Sequence, residues 1–115
     1  MTTGIFTGVA VVDFGKALEW YRRLLGAEPS FCPNDAEAVW QLADGRFIYI
    51  IVDVGRAGGA VCMIWFDDPA TTVAGIKARG LEPARIEKHD AVWKYVFYDP
   101  DGNEIGIGGN VSMTD

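Results

Sequence analysis

The stretch Asp99-Pro100-Asp101-Gly102-Asn103-Glu104-Ile105-Gly106-Ile107 decides the fold, because it joins a tight turn to the start of a strand. Pro100 fixes φ, Asp101 can hydrogen-bond its own backbone, and Gly102 supplies a positive φ, after which apolar residues alternate. A weaker copy, Asp44-Gly45-Arg46-Phe47-Ile48-Tyr49-Ile50-Ile51, lies 57 residues earlier. Two copies of one turn-and-strand pattern predict a duplicated structural unit.

A helix pattern precedes each copy. The first helix is expected after the N-cap residue Asp13 and ends at Gly26, which suits the left-handed position behind a helix. Its apolar stripe consists of Phe14, Ala17, Leu18, Tyr21, Leu24 and Leu25. The second helix opens at Asp68-Pro69 and closes at Arg79-Gly80. The two helices therefore begin with the same type of cap.

Strand-like runs surround both helices. Ile5 to Val12 precede the first helix and Ala60 to Phe66 precede the second. Three further runs follow each helix, at 28–32, 36–42 and 46–53 in the first half and at 83–87, 92–98 and 104–108 in the second. The order βαβββ thus occurs twice, which predicts an α+β fold of tandem modules.

Length and composition favour one domain and exclude several functions. A chain of 115 residues, half of them hydrophobic, suits a single domain over 1–115, with modules at about 4–54 and 59–110. The net charge of −6 argues against nucleic acid as a partner, and no apolar run approaches the ~20 residues of a membrane span. Cys32 and Cys62 suit small core residues in a reduced, cytoplasmic protein.

The tandem pattern, the helix ending Trp20-Tyr21-Arg22-Arg23-Leu24-Leu25-Gly26 and the terminal Asp-Pro-Asp-Gly-Asn turn resemble the vicinal oxygen chelate superfamily. This superfamily contains glyoxalases, extradiol dioxygenases, fosfomycin-resistance enzymes and bleomycin-binding resistance proteins. The resemblance covers about residues 6–108 and implies a cupped mixed sheet with helices on its convex face. It indicates the fold better than the function, because one fold serves many functions.

The resemblance also implies four metal-ligand positions. Two lie seven residues before the Asp that opens each helix, and here they hold Phe6 and Val61. Two lie four residues after the Gly of each turn, and here they hold Tyr49 and Gly106. Divalent metals need oxygen, nitrogen or thiolate donors, so these residues predict a protein without the family's metal and without a cofactor.

The concave face is expected to form a small-molecule pocket, since side chains in register with those four positions share one side of the sheet. Gly8, Gly106 and Gly108 are expected to leave room there for a ring. The candidate ligand-binding residues are Phe6, Gln41, Tyr49, Met63, Trp65, Lys94, Tyr98 and Glu104. Lys94 and Glu104 either pair with each other or face solvent. Trp40, Trp93 and Tyr95 are expected to pack on the opposite side, and His89 to be an exposed loop residue.

The sequence favours metal-free binding of an aromatic or hydrophobic small molecule. The acidic chain would also attract a cationic one, and sequestration of an antibiotic would suit such binding. An alternative is a metal-independent lyase or isomerase that uses Glu104, Lys94 or Tyr98 as acid and base groups on a small carbonyl compound. A third is a domain whose cavity is filled by its own side chains or by a partner protein. Open sheet edges and high apolar content favour a homodimer.

Overall fold

The computed structural model describes residues 1–111, and the elements follow the predicted double βαβββ order. The first half consists of β1 (Ile5–Val11), α1 (Phe14–Leu25), β2 (Phe31–Asn34), β3 (Glu37–Ala43) and β4 (Arg46–Val52). The second half consists of β5 (Val61–Trp65), α2 (Pro69–Ala78), β6 (Arg85–His89), β7 (Val92–Tyr98) and β8 (Glu104–Asn110).

Each half forms its own four-stranded sheet. The strand orders are β1-β4-β3-β2 and β5-β8-β7-β6, so equivalent strands occupy equivalent places. The β1–β4 and β5–β8 pairs are parallel and the other pairs are antiparallel, which makes both sheets mixed. The predicted α+β fold of tandem modules is confirmed. In each sheet the first strand of the module is an edge strand.

Both helices begin and end where the sequence predicts. Asp13 accepts a hydrogen bond from the Lys16 backbone N–H at 3.0 Å, and Gly26, at φ 70°, donates to the Arg22 carbonyl at 2.8 Å. Asp68 accepts from both the backbone and the hydroxyl of Thr71, and these bonds lower the pKa of its carboxyl group. No helix in the described part of the chain is long and apolar enough to cross a membrane.

The core lies on the helix-facing side of both sheets. Alternate strand residues such as Val9, Ile48 and Ile107 are buried there against α1 and α2. Trp40 and Tyr95 are also buried, and Trp93 packs against the same core, as the sequence predicts. The opposite side chains of each strand are therefore left on the other face.

The backbone of the terminal turn is bonded by Asp99 rather than by Asp101. Oδ1 of Asp99 accepts from the backbone N–H groups of Asp101 and Asn103 at 2.9 and 3.0 Å. Asp101 instead accepts from the Val12 N–H at 3.1 Å, which ties the turn to the end of β1. The sequence prediction that Asp101 hydrogen-bonds its own backbone was wrong, because its side chain points to the other half of the protein.

Two strands start later than predicted. The runs 28–32 and 83–87 correspond to β2 at Phe31–Asn34 and β6 at Arg85–His89. Each predicted run contains a proline near its start, Pro29 and Pro83, which has no N–H to donate to a neighbouring strand. His89, expected in a loop, ends β6 and is exposed.

Candidate functional site

Each sheet has a face turned away from the helices, and we call these the first open face (β1–β4) and the second open face (β5–β8). The candidate residues on the first open face are Phe6, Gln41 and Tyr49, as their pairing register requires. Those on the second open face are Met63, Trp65, Lys94, Tyr98 and Glu104. The chain thus distributes the eight candidates over two separate sheets.

Aromatic rings cover the first open face. The rings of Phe6 and Phe47, paired across β1 and β4, stack with centroids 4.2 Å apart and planes 5° apart. The Tyr49 ring lies over Gly8, where a Cβ atom would come within 2.5 Å of the Tyr49 hydroxyl. This face presents flat apolar surface with the polar Gln41 beside it.

The glycines of the second open face are covered as well. A Cβ atom on Gly106 would meet Cε of Lys94 at 2.5 Å, and one on Gly108 would meet Cε of Met63 at 2.0 Å. The expectation that Gly8, Gly106 and Gly108 leave room for a ring was therefore wrong. The missing side chains make space for neighbouring side chains of the protein itself.

A polar cluster lies on the second open face, formed by Arg85, Glu87, Lys94, Tyr98 and Glu104. Lys94 Nζ donates to Glu104 Oε2 at 2.9 Å, so these two residues pair. Arg85 donates through Nε to Glu87 Oε2 at 2.9 Å, and through Nη1 to the Tyr98 hydroxyl at 2.7 Å. Its Nη2 lies 3.5 Å from Glu104 Oε1, which links the two halves of the cluster.

Arg85 and Glu87 were not among the residues singled out from the sequence. Both lie on β6, where Arg85 pairs with Val96 and Glu87 with Lys94, and this register turns their side chains to the second open face. The segment Arg-Ile-Glu-Lys-His has no apolar alternation that would mark its faces. The pairing register with β7 is the signal that identifies them.

The hydrogen bonds within the cluster stabilise the charged forms of its residues. The hydrogen bond from Lys94 is the main cause that holds the pKa of Glu104 below its usual value, so this carboxylate is ionised at neutral pH. Hydrogen bonds to Tyr98 and Glu87 raise the pKa of the Arg85 guanidinium. Two cations and two anions make the cluster formally neutral.

An open groove of about 810 Å³ lies beside these faces. It brings together three of the candidate residues, Gln41, Met63 and Trp65, with side chains of both helices such as Leu24 and Thr72. Phe6, Tyr49, Lys94, Tyr98 and Glu104 do not line it. This groove therefore holds only part of the predicted site.

The four family metal positions do not fit a divalent metal. Phe6, Val61 and Gly106 have no side-chain donor atom, and the Tyr49 hydroxyl lies against Gly8. Among residues 1–111, no three His, Cys, Asp or Glu side chains come together as a metal-binding group. Carboxylate, imidazole and thiolate ligands are the groups such a site requires.

A reactive thiol is also missing from the groove. Cys62 lines it, but burial is the main cause that raises the pKa of this thiol to about 11. The thiolate is the nucleophilic form, so at neutral pH Cys62 is an inert, largely apolar side chain.

Comparison with solved structures places the chain among proteins of one fold. A glyoxalase/bleomycin resistance protein from Catenulispora acidiphila DSM 44928 is 46% identical, with a TM-score of 0.90 over 94% of this chain and 98% of that one. A bleomycin-binding protein in complex with bleomycin is 21% identical, with a TM-score of 0.72 over 93% and 98% of the chains. The fosfomycin resistance protein FosX from Listeria monocytogenes is 18% identical, with a TM-score of 0.72 over 96% of each chain.

No family model and no curated protein matches the chain. The fold and the first of these likenesses nevertheless define its class, the vicinal oxygen chelate superfamily. The chain belongs to the glyoxalase/bleomycin resistance protein family within it.

Proposed function

We propose that this protein binds an aromatic or hydrophobic small molecule without a metal ion, tolerates positive charge on that molecule, and acts by sequestering it. The observation that carries the proposal is the exposure of large apolar side chains on the open faces. Phe6, Met63 and Trp65 are 56%, 42% and 52% exposed, although they occupy regular strands. Exposed apolar surface beside polar groups is characteristic of binding sites.

The family supports a binding role in general. One relative with this fold is a bleomycin-binding protein and another is a fosfomycin resistance protein. Planar rings stack on aromatic side chains, and cations are attracted to the same ring faces. Antibiotic sequestration is therefore the mechanism we favour, and the two free cysteines suit its action in the reducing cytoplasm.

A calorimetric titration with planar cationic, neutral and anionic compounds tests this proposal. We expect Trp65→Ala and Tyr49→Ala to weaken binding of the best compound by about fivefold each, through lost ring contacts. Ile86→Ala is the matched control, because Ile86 is an exposed apolar strand residue whose side chain lies on the opposite face from Arg85. If both aromatic variants bind within twofold of the unaltered protein, the open faces are not the site.

A metal-independent lyase or isomerase is the second candidate function, and the polar cluster is the observation that favours it. Glu104, Lys94 and Tyr98 lie within hydrogen-bond reach of one another or of Arg85. However, a carboxylate with a lowered pKa is a weak base at neutral pH, which makes Glu104 poorly suited to proton abstraction. Turnover of a small carbonyl compound, abolished by Lys94→Met, would favour the enzyme over the binder.

A homodimer is part of the proposal. The two modules, about 4–54 and 59–110, would act as one domain in each protomer, and a second copy would cover the apolar edges. The edge strands β1 and β5 carry Ile5 and Val61, which are 63% and 72% exposed and are not among the candidate ligand-binding residues. Burying such edges against a symmetric copy removes both apolar surface and unpaired strand groups from water.

Sedimentation equilibrium at micromolar concentration tests the dimer. We expect twice the protomer mass, and a monomer for Val61→Glu, which introduces a charge on the β5 edge. Val54→Glu is the control, since Val54 is 67% exposed, close to the 72% of Val61, but lies outside the strands. A monomeric unaltered protein would rule out the dimer.

A further inference from the structure

The polar cluster of the second open face has more hydrogen-bond donors than its own carboxylates occupy. A guanidinium group has five N–H donors and an ammonium group has three. Arg85 uses three of its five in the contacts with Glu87, Tyr98 and Glu104, and Lys94 uses one of its three with Glu104. Among the residues that the structure describes, the other two N–H groups of each side chain have no protein acceptor.

Most oxygen atoms of the cluster already have a donor from within the cluster. Both oxygens of Glu104 lie within 3.5 Å of a donor, and one oxygen of Glu87 accepts from Arg85. The Tyr98 hydroxyl already accepts the shortest of these bonds, from Arg85 at 2.7 Å. An incoming group that brings oxygen acceptors therefore finds four N–H groups of Arg85 and Lys94 without a protein acceptor among the described residues. Of the five side-chain oxygens in the cluster, only Glu87 Oε1 has no donor within 3.5 Å.

Apolar side chains adjoin the cluster on the same face. In the strand order β5-β8-β7-β6, Met63 and Trp65 lie on the edge strand β5 and the covered glycines lie on β8. Lys94 and Tyr98 follow on β7, and Arg85 lies on the other edge strand, β6. With strands ~4.8 Å apart, β5 and β7 are separated by about 10 Å. That distance matches a ligand with a bicyclic ring and one polar substituent.

We infer that Arg85 and Lys94 bind an oxygen acceptor of the ligand, a carbonyl or a carboxylate, while the ligand's ring lies towards β5. This inference rests on the proposed binding function and specifies which polar group the second open face selects. Charge-assisted hydrogen bonds to such an oxygen are the strong class of hydrogen bond, and they fix the direction of the ligand across the sheet. A positive group on the ligand is tolerated only away from the cluster.

Three naphthalene derivatives of similar size test the inference, carrying a methyl ketone, a carboxylate or an amidinium group. Calorimetry on the full chain measures their affinities for the unaltered protein, Arg85→Gln and Lys88→Gln. Lys88 is the matched control because it lies on the same strand as Arg85 but its side chain lies on the opposite face. It pairs with Trp93 across the strands, and its ammonium group lies 4.2 Å from the centre of that ring. Both variants remove one positive charge, so a general charge effect would change their affinities for each compound equally.

We expect the ketone and the carboxylate to bind the unaltered protein about tenfold more tightly than the amidinium compound, although the chain is acidic. Arg85→Gln should remove most of this preference and Lys88→Gln should keep it. If the amidinium compound binds most tightly, or if both variants keep the preference, the inference is overturned while hydrophobic ligand binding stands. If none of the three compounds binds, the proposed function fails together with the inference.

Discussion

The Tyr21 hydroxyl on α1 donates a 2.8 Å hydrogen bond to Oδ2 of Asp99 at the end of β7, 78 residues away in the sequence. Both side chains are buried, and burial is the main cause that raises the pKa of Tyr21 above its ordinary value. The bond joins the helix of the first module to the turn of the second. The carboxylate that shapes the turn therefore also holds the two modules together.

Replacing Tyr21 tests the contribution of this bond. Tyr21→Phe should lower the free energy of unfolding by about 1.5–3 kcal/mol, because a buried carboxylate loses a neutral donor. Urea denaturation measures the change. Tyr98→Phe is the control, since Tyr98 is exposed, and it should stay within about 0.5 kcal/mol of the unaltered protein. Equal effects of the two substitutions would contradict a joining role for Tyr21.

Asn103 makes the second connection between the modules and is fully buried. Its Oδ1 accepts from the Gly58 and Ala60 N–H groups at 3.1 and 2.9 Å, and its Nδ2 donates to the Ala10 carbonyl at 2.9 Å. Asn103→Ala leaves these part-buried backbone groups without their protein partner, so we expect a loss of about 2–4 kcal/mol in unfolding free energy.

The exposed Asn34 provides the comparison for that measurement, because its side chain also makes two hydrogen bonds. Its Oδ1 accepts from the Ala36 N–H group and its Nδ2 donates to the Glu37 carboxylate. Asn34→Ala should cost less than about 1 kcal/mol, since water replaces the lost bonds. A comparable loss in both variants would show that burial of Asn103 is not the source of its effect.

The Lys94–Glu104 pair predicts a defined pH dependence. The folded-state pKa of Glu104 is lowered, so the pair stabilises the fold above the unfolded-state pKa and loses that effect as pH falls through the folded-state pKa. Lys94→Met should therefore raise the pKa of Glu104 towards its ordinary value. It should also be less stable than the unaltered protein at pH about 6, and the difference should shrink in acid.

NMR titration of the Glu104 carboxyl group and urea denaturation across the acid range measure these two effects. Lys88→Met is the control, because Lys88 contacts Trp93 rather than Glu104. The Glu104 titration should not change in that variant. A Glu104 pKa that is the same in Lys94→Met and in the unaltered protein would mean that another group holds it low.

Much of the fold follows from the sequence because its signals are local. Asp13 and Asp68 are caps whose bonds reach only three residues along the chain. Side chains alternate across a strand, so residues out of register with the four family positions, such as Val9, Ile48 and Ile107, are assigned to the buried face, and the structure buries them. Such signals locate the helices and the core.

The site depended on information that no local pattern contains. Arg85 reaches the second open face only through the register of β6 on β7, and Pro83 moves the strand away from its expected start. The covering of Gly106 by Lys94 depends on the path of a flexible side chain from the neighbouring strand. These contacts are set by packing between strands. The sequence therefore predicts on which face a residue lies but not which side chains it contacts there.

Two glycines should respond in opposite ways to alanine. A Cβ atom on Gly109 would lie 2.1 Å from the Phe66 carbonyl oxygen, a backbone atom that cannot move aside cheaply, whereas Gly59 has nothing within 4 Å of that position. Gly109→Ala should lower the unfolding free energy by about 1–3 kcal/mol. Gly59→Ala should leave it unchanged or raise it by up to about 1 kcal/mol. Urea denaturation measures both variants. Equal stabilities would contradict the close approach of Gly109 to the Phe66 carbonyl group.

The four family metal positions predict that the purified protein binds no stoichiometric Zn, Ni, Mn or Fe. Phe6, Val61 and Gly106 offer no donor atom, and one neutral hydroxyl from Tyr49 is too weak a ligand alone. Elemental analysis after incubation with each metal should therefore find far less than one equivalent per chain. Cys32→Ser is measured in parallel, because Cys32 is an exposed free thiol that can bind soft metals adventitiously. About one equivalent that persists in Cys32→Ser and is lost in Tyr49→Phe or Glu104→Gln would overturn the metal-free assignment.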